Sequence, residues 1–542
     1  MANAALESDY TAIQAANSAL HNQVDSLQTQ LAEVKTQLAA ALHQLDWFKR
    51  QLFGQKSEKL RVLDPAIQAS LLAGLVPPVP PSRPVAARPR TVTPRKKLHD
   101  GCVNDTGLRF DASVPVRVIE VPTPTGWQGE VIATHSTFRL AQRRAAYEIL
   151  EYRCPVLRQA GTGTLQTTPI PAAIFAGSVA DVSFLAGMLV DKFASHLPLY
   201  RQHQRLAQAG ITLSRGTLTQ LVMRTASLLA PIHQAQLDHV LQSHVLAMDE
   251  TPIKAGQREP GKLHAAYFWP LYGDADEVSF TFADTRAKTH IDTVLGDRFH
   301  GVLLTDGYDP YARYAEARPA VTHAQCWSHT RRYFERAQAS DPHVQEGMAL
   351  IAELYHQEAD IRNERLAGTA KQQARTRREA PLVRAFWAWC DRQCQRPDLE
   401  PSHPLAKALA YAQARKAALE VCLDNPDVPL DTNHLERALR PIPMGRKAWL
   451  FCWTEVGAEA VAIVQSLITT CRVQGVDPYT YLVDVLQRVQ THPAKRVVEL
   501  TPRLWKQHFA DRPLRSDVER LTPQAAAPPP ATQPPATPPP SG

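Results

Sequence analysis

Two aspartates in this chain each follow a short apolar run and stand 57 residues apart: Asp249 after His244-Val245-Leu246-Ala247-Met248, and Asp306 after Gly301-Val302-Leu303-Leu304-Thr305. Carboxylates at the ends of buried-type strands face the loop-lined rim where α/β sheets place their ligands. Taken singly, each has an ordinary account: Asp249 caps a turn, and Asp306 opens the turn before Gly307. The pair in this strand order leaves both readings open.

A third acidic group comes late, in Asp431-Thr432-Asn433-His434-Leu435-Glu436-Arg437-Ala438-Leu439-Arg440. Asp431 is a good helix N-cap, and Asn433, Glu436 and Arg440 then share one helical face at i, i+3 and i+7. A solvated stripe with a Glu436–Arg440 pair would use the same residues. Beside it, Gly445-Arg446-Lys447-Ala448-Trp449-Leu450-Phe451 mixes cations with rings, which suits a nucleic-acid strand: charges for phosphates, a ring for a splayed base. Cys326 and His329 form a CxxH pair that could hold zinc with help from His323. With no second pair evident, buttressing of the site edge accounts for them more readily.

The elements that must position these groups can be read from periodicity. Strands are expected over His244–Met248, Leu263–Tyr272, Val278–Ala283, Gly301–Thr305 and Ala320–Cys326, with a helix over Thr285–Leu295. That order describes an α/β sheet. Upstream, β-like runs at Val116–Val121 and Tyr147–Tyr152 indicate a small β-rich module. Helices are expected over Phe184–Ala194, from Pro198 to Ala209-Gly210, and from an N-cap at Ser214 through Val222. Helix, Gly-containing turn and helix is the layout of a helix-turn-helix, though such pairs are common in proteins that never touch DNA.

The chain has 542 residues and a formal charge of +7, long enough for several domains and basic enough to permit a polyanionic partner. No stretch reaches the roughly 18–20 apolar residues of a membrane span, which excludes one. The N-terminus lacks the pattern of a secretion signal, and eight cysteines are too few for a disulfide framework. From Leu6 to Leu52, apolar residues recur in steps of four and three, interrupted only by Asn17. This is a coiled-coil seam of roughly 70 Å, favouring self-association over packing on its own domain. Pro77–Lys97 reads as a basic, proline-rich linker, which phosphates or solvent alone could satisfy. Pro523–Gly542 is a Pro/Ala/Thr tail that cannot bury enough surface to fold.

Several runs of this chain together resemble the insertion-sequence-66 transposase family. They are Met248-Asp249-Glu250-Thr251-Pro252, Thr305-Asp306-Gly307-Tyr308, Cys326-Trp327-Ser328-His329-Thr330-Arg331-Arg332, Asn433 to Pro441 and Gly445-Arg446-Lys447. The likeness extends to Lys192–Arg201, Leu213–Leu218 and Gly475–Tyr479. It implies a multidomain α/β plus α chain. The coiled coil would occupy 1–60, the linker 61–100, the β-rich module 101–175 and the helix-turn-helix-like region 176–240. A ribonuclease-H-like catalytic domain would occupy 241–335 and 424–456, interrupted by a helical insertion at 336–423. C-terminal helices would follow at 457–515 and the tail at 516–542.

The resemblance also implies a catalytic triad of Asp249, Asp306 and Glu436 holding two Mg²⁺ (or Mn²⁺) ions, with Asp249 bridging them. The activity would be cleavage of DNA at element ends followed by strand transfer. A nuclease that cuts without joining, or a noncatalytic DNA-binding descendant, are the alternatives. Arg215, Thr217, Arg331, Arg332, Arg437, Arg440, Arg446, Lys447 and Trp449 become candidate DNA contacts. Family members commonly carry a cysteine-paired zinc module ahead of the helical region. This chain lacks those pairs, so no structural zinc is expected. Expected partners are DNA, a second copy of the chain through the coiled coil, and accessory proteins of the same element. No membrane is expected, and the expected location is the prokaryotic cytoplasm, at the nucleoid.

Overall fold

The structure, a computed structural model, describes residues 108–520 apart from 111–113, 124–128, 144–145, 160–164, 260–261, 451 and 453. The coiled-coil seam, the basic linker and the proline-rich tail lie outside the described residues. Among the described residues the chain is mixed α/β, with three sheets and many helices.

The first part is β-rich: β1 (Arg109–Phe110), β2 (Val116–Glu120), β3 (Gly129–Arg143), β4 (Ala146–Gln159) and β5 (Leu165–Thr167). A long antiparallel hairpin, β3–β4, carries β2 parallel on one side of β4, and β5 joins the end of β4. Then come α1 (Val182–Leu189), a π-helical turn (Val190–Ala194), α2 (Leu199–Gln208), β6 (Ile211–Thr212) and α3 (Arg215–Val240). Ser214 caps α3 as expected, accepting from the Thr217 amide at 3.0 Å. The α2–α3 connection differs from a bare turn, because Ile211–Thr212 pairs with β1. At 26 residues, α3 buries Leu218, Leu221, Val222, Leu229 and Ile232, so it serves as a core helix along most of its length.

The central sheet is built from β7 (Val245–Met248), β8 (Thr251–Glu259), β9 (Lys262–Gly273), β10 (Val278–Ala283), β11 (Gly301–Thr305) and β12 (Val321–Gln325). Helices α4 (Lys288–Leu295) and α5 (Asp309–Glu316) lie between its strands in sequence. The strand order is β10-β9-β7-β11-β12. β7, β9 and β10 run antiparallel in succession, whereas β7, β11 and β12 are parallel.

β8 was not anticipated from the sequence. It continues β7 along the same partner: Met248 pairs with Leu271 and Thr251 with Phe268, which sets Asp249 opposite Pro270. The Asp249 amide donates to the Pro270 carbonyl at 3.4 Å. Proline has no N–H with which to return the bond, so the ladder opens there. The outer edge of β10 is covered by α13 (Glu455–Val473), whose Ser466 and Thr470 hydroxyls accept from the Phe280 and Val278 amides at 2.8 and 3.0 Å. That helix corrects the expectation that no stretch is long and apolar enough for a span: its 19 residues are. However, 67% of its apolar window is buried, so it is a core helix.

After β12 the chain makes α6 (Trp327–Ala337), α7 (Val344–Asn363), α8 (Gly368–Cys394), α9 (Pro404–Gln413) and α10 (Lys416–Asp424). It returns as α11 (Asn433–Leu439) and α12 (Pro441–Trp449), and after α13 it ends with α14 (Pro478–Arg488), α15 (Pro502–His508) and α16 (Asp517–Arg520). Strand alternation sorts the core. Val245, Ala247, Val302 and Leu304 face a cluster with Phe386 and Leu409 from the helical excursion and with Trp327 and Leu435 from α6 and α11. Leu246, Met248 and Leu303 face the opposite cluster, with Ile291 and Tyr311.

Candidate active site

β11 lies parallel to β7 with Leu304 beside Ala247, an offset of the same 57 residues that separates Asp306 from Asp249. The two aspartates therefore leave their strands at one level, side by side. Alternation aims both toward the face that carries Leu435, whose neighbour is Glu436. Each also serves its own turn: Asp249 Oδ1 accepts from the Glu250 amide at 2.7 Å, and Asp306 Oδ1 from the Tyr308 amide at 2.9 Å.

Burial, and then the negative charges of Glu250, Asp306 and Glu436, push the Asp249 carboxyl up to about 8. Glu250, adjacent in sequence, faces away into its own network. Tyr311 donates to it at 2.7 Å and Arg286 Nε at 2.8 Å, and the Arg286 guanidinium lies 3.9 Å over the Tyr308 ring.

Glu436 sits on α11. The expected cap at Asp431 is corrected by one residue: Asp431 accepts from both the backbone and the side chain of Asn433, at 3.0 and 2.6 Å, so the helix begins after Thr432. The alternative reading, a solvated stripe with a Glu436–Arg440 pair, is not what the structure has: Arg440 stands at the junction of α11 and α12. Instead Arg332 of α6 bridges Glu436, with one nitrogen 2.8 Å from Oε1 and 2.9 Å from Oε2. His329 Nε2 lies 3.2 Å from Arg332 and 3.8 Å from Glu436. Burial and the Arg332 charge hold His329 below its ordinary pKa.

Cys326 is buried, and its Sγ accepts from the Thr432 amide and hydroxyl at 3.3 and 3.4 Å. It ties the end of β12 to the start of α11. His323 accompanies neither of them; its Nε2 contacts the Thr305 hydroxyl at 2.9 Å. Among the described residues, no three His, Cys, Asp or Glu side chains already lie close enough to hold a metal ion.

The remaining predicted residues disperse. Arg437, Arg440 and Lys447 are exposed. Arg446 donates to the Pro252 carbonyl, pinning α12 to β8. Trp449 is half-buried with the Lys192 ammonium 5.9 Å from its ring, so it also packs structurally. Arg331 pairs with Glu335 at 2.9 Å along α6. Arg215 lies 5.9 Å over Tyr200, and the Thr217 hydroxyl bonds to Ser214 at 2.8 Å. Residues the sequence reading missed are Arg286 and Tyr311, which hold Glu250, and Tyr411 and Arg415 from the helical excursion. Arg415 donates to the Gly307 carbonyl at 3.0 Å. Nothing in the local pattern around Tyr411 and Arg415 announces a site.

Comparison with known families settles the membership. The profile described as "Transposase IS66 family" matches residues 177–460, and that described as "IS66 C-terminal element" matches 466–503. The chain belongs to the IS66 transposase family. Its relatives include three proteins of Sinorhizobium fredii (strain NBRC 101917 / NGR234). "Uncharacterized protein y4jD" is 32% identical over 66% of this chain and 71% of its own length. "Uncharacterized protein y4qI" is 28% identical over 71% and 74%, and "Uncharacterized protein y4hP" 29% over 64% and 66%. The IS66 match spans Asp249, Asp306, Glu436 and the helical excursion between the last two.

Proposed function

We propose that this IS66-family chain is a DNA transposase that cuts phosphodiester bonds at element ends and joins the freed ends to target DNA, with Asp249, Asp306 and Glu436 as its catalytic acids. The observation that carries this reading is the shared level of Asp249 and Asp306 on adjacent parallel strands, with Glu436 near enough to raise the Asp249 pKa. The strand order, three antiparallel strands leading into three parallel ones, supports a ribonuclease-H-like catalytic domain.

The donor set fits a hard divalent cation. It offers carboxylate oxygens, and their mutual repulsion is a cost that a cation would relieve. Asp249, Asp306 and Glu436 would hold Mg²⁺ or Mn²⁺, which when bound supplies stabilisation of charge on the attacking and leaving oxygens. Around them the chain's own groups position the strand. Exposed Arg437, Arg440 and Lys447 take phosphates, and Arg332, with His329 beside it, pairs with Glu436 in the metal-free chain. Water attacks the phosphodiester at the element end, breaking its P–O3′ bond to leave a 5′-phosphate and a free 3′-hydroxyl; that hydroxyl then attacks a target phosphodiester, joining to the target 5′-phosphate and releasing the target 3′-hydroxyl.

Arg215 at the start of α3 is a further contact for DNA, and the N-terminal heptads pair two copies of the chain. Accessory proteins of the same element complete the assembly. Incubating the purified protein with supercoiled plasmid bearing element ends tests the proposal: joined products support it. Nicks without joining would reduce the chain to a nuclease, and intact plasmid would remove the enzymatic reading.

A further inference from the structure

Both carboxylate oxygens of Glu436 are already engaged. One guanidinium nitrogen of Arg332 reaches them at 2.8 and 2.9 Å, and the other turns to His329 Nε2 at 3.2 Å. Arg332 and His329 lie one helical turn apart on α6, so one face of that helix presents a cation and an imidazole to the single glutamate on α11. The pair is only partly shielded, with 42% of the Arg332 side chain and 27% of Glu436 exposed. An ion pair in that setting is weak, and so can be exchanged.

Arg332 also has the chemistry to leave. Its planar, permanently charged fork suits a phosphate oxygen as well as a carboxylate. By contrast, the two aspartates are fixed by their strands. Glu436, carried on a seven-residue helix whose cap depends on the Asp431–Asn433 turn, is the acid least committed by the sheet.

We propose that Arg332 is a positioning residue that competes with divalent cations for Glu436, so that the third acid joins Asp249 and Asp306 only as Arg332 is drawn away. The inference rests on the acidic-triad reading above. It makes Arg332 an exchangeable counter-ion, and on release the guanidinium becomes available to the DNA backbone beside the acids.

Manganese titration of the full-length protein without DNA, reading free Mn²⁺ by electron paramagnetic resonance, tests it. Arg332→Gln should tighten Mn²⁺ binding about two- to fivefold, the span expected for losing an ion pair of this exposure. Arg332→Lys, which keeps the charge but not the bridging geometry, should shift affinity in the same direction by less, and gives that sign even if the glutamine variant does not fold. A merely structural bridge predicts the opposite, since its loss would loosen α11 and weaken capture. Binding equal to or weaker than wild type in the Arg332 variants overturns the inference, provided Asp249→Asn abolishes the site. Undiminished binding in Asp249→Asn would instead overturn the triad reading beneath it.

Discussion

Asp249 and Asp306 each stand one residue beyond the ends of the neighbouring parallel strands β7 and β11, and the 57-residue offset that sets Leu304 beside Ala247 also separates Asp306 from Asp249. Adjacent strands lie about 4.8 Å apart, so backbone pairing alone holds these acids together without a dedicated side-chain contact. What makes the end of β7 available is Pro270 across from Asp249, which cannot donate into the ladder. Burial raises the Asp249 pKa most, with the charge of Glu250 next, and the nearness of Asp306 that the sheet imposes adds to the rise.

The turn after Asp306 should tolerate no side chain. A Cβ on Gly307 would run into the Tyr411 hydroxyl and lie 2.8 Å from Arg415 Nε, so the helical excursion presses on the loop carrying Asp306. Gly307→Ala should destabilise by roughly 1–3 kcal/mol and impair end cleavage. Adding Tyr411→Phe removes the nearest atom and should recover part of both. Chemical denaturation and a cleavage assay measure the pair, and wild-type stability in the single variant would contradict the contact.

The helical excursion carries its own pH dependence. Burial and the neighbouring Glu358 push Glu379 up to about 8, with the opposing pull of Arg375 too weak to prevent it. The native state keeps a proton that the unfolded chain gives up near the ordinary value of 4.5, so this stabilisation is complete at low pH and fades as pH climbs toward about 8. Glu379→Gln should flatten that decline, worth on the order of a few kcal/mol, in denaturation curves taken across the window. An unchanged slope would show that Glu379 ionises normally.

Cys326 acts through Thr432. Cys326→Ser keeps an acceptor for the Thr432 amide and should cost about 1–2 kcal/mol, with cleavage retained. Stoichiometric zinc in the wild type that disappears in this variant, measured by elemental analysis, would restore the metal-ligand reading of the CxxH pair.

Much of the central sheet was legible because its strands are short, apolar and punctuated by turn residues. Val278–Ala283 and Gly301–Thr305 appear at their predicted bounds. β8 escaped notice because Thr251–Glu259 mixes Lys, Gln, Arg and Glu with its apolar residues, and its partnership with β9 is a long-range choice. The motif singles out Glu436 as a candidate, whereas its engagement by Arg332, 104 residues earlier, depends on how α6 and α11 pack. The short β6 between α2 and α3 depends likewise on β1, a partner remote in sequence.

Self-association is separable from chemistry. Deleting Met1–Phe53, which contains the heptad run, should shift the protein to smaller species in sedimentation. An unchanged mass would remove the proposed pairing of copies while leaving the acidic site untouched.

The most direct measurement is magnesium-dependent cleavage of a labelled duplex carrying an element end, compared between wild type and Asp249→Asn, Asp306→Asn and Glu436→Gln, with duplex binding followed in parallel. Each substitution should lower cleavage by about a thousandfold or more while duplex binding stays within about twofold of wild type. An Asp306→Asn protein that cuts at the wild-type rate would contradict the account.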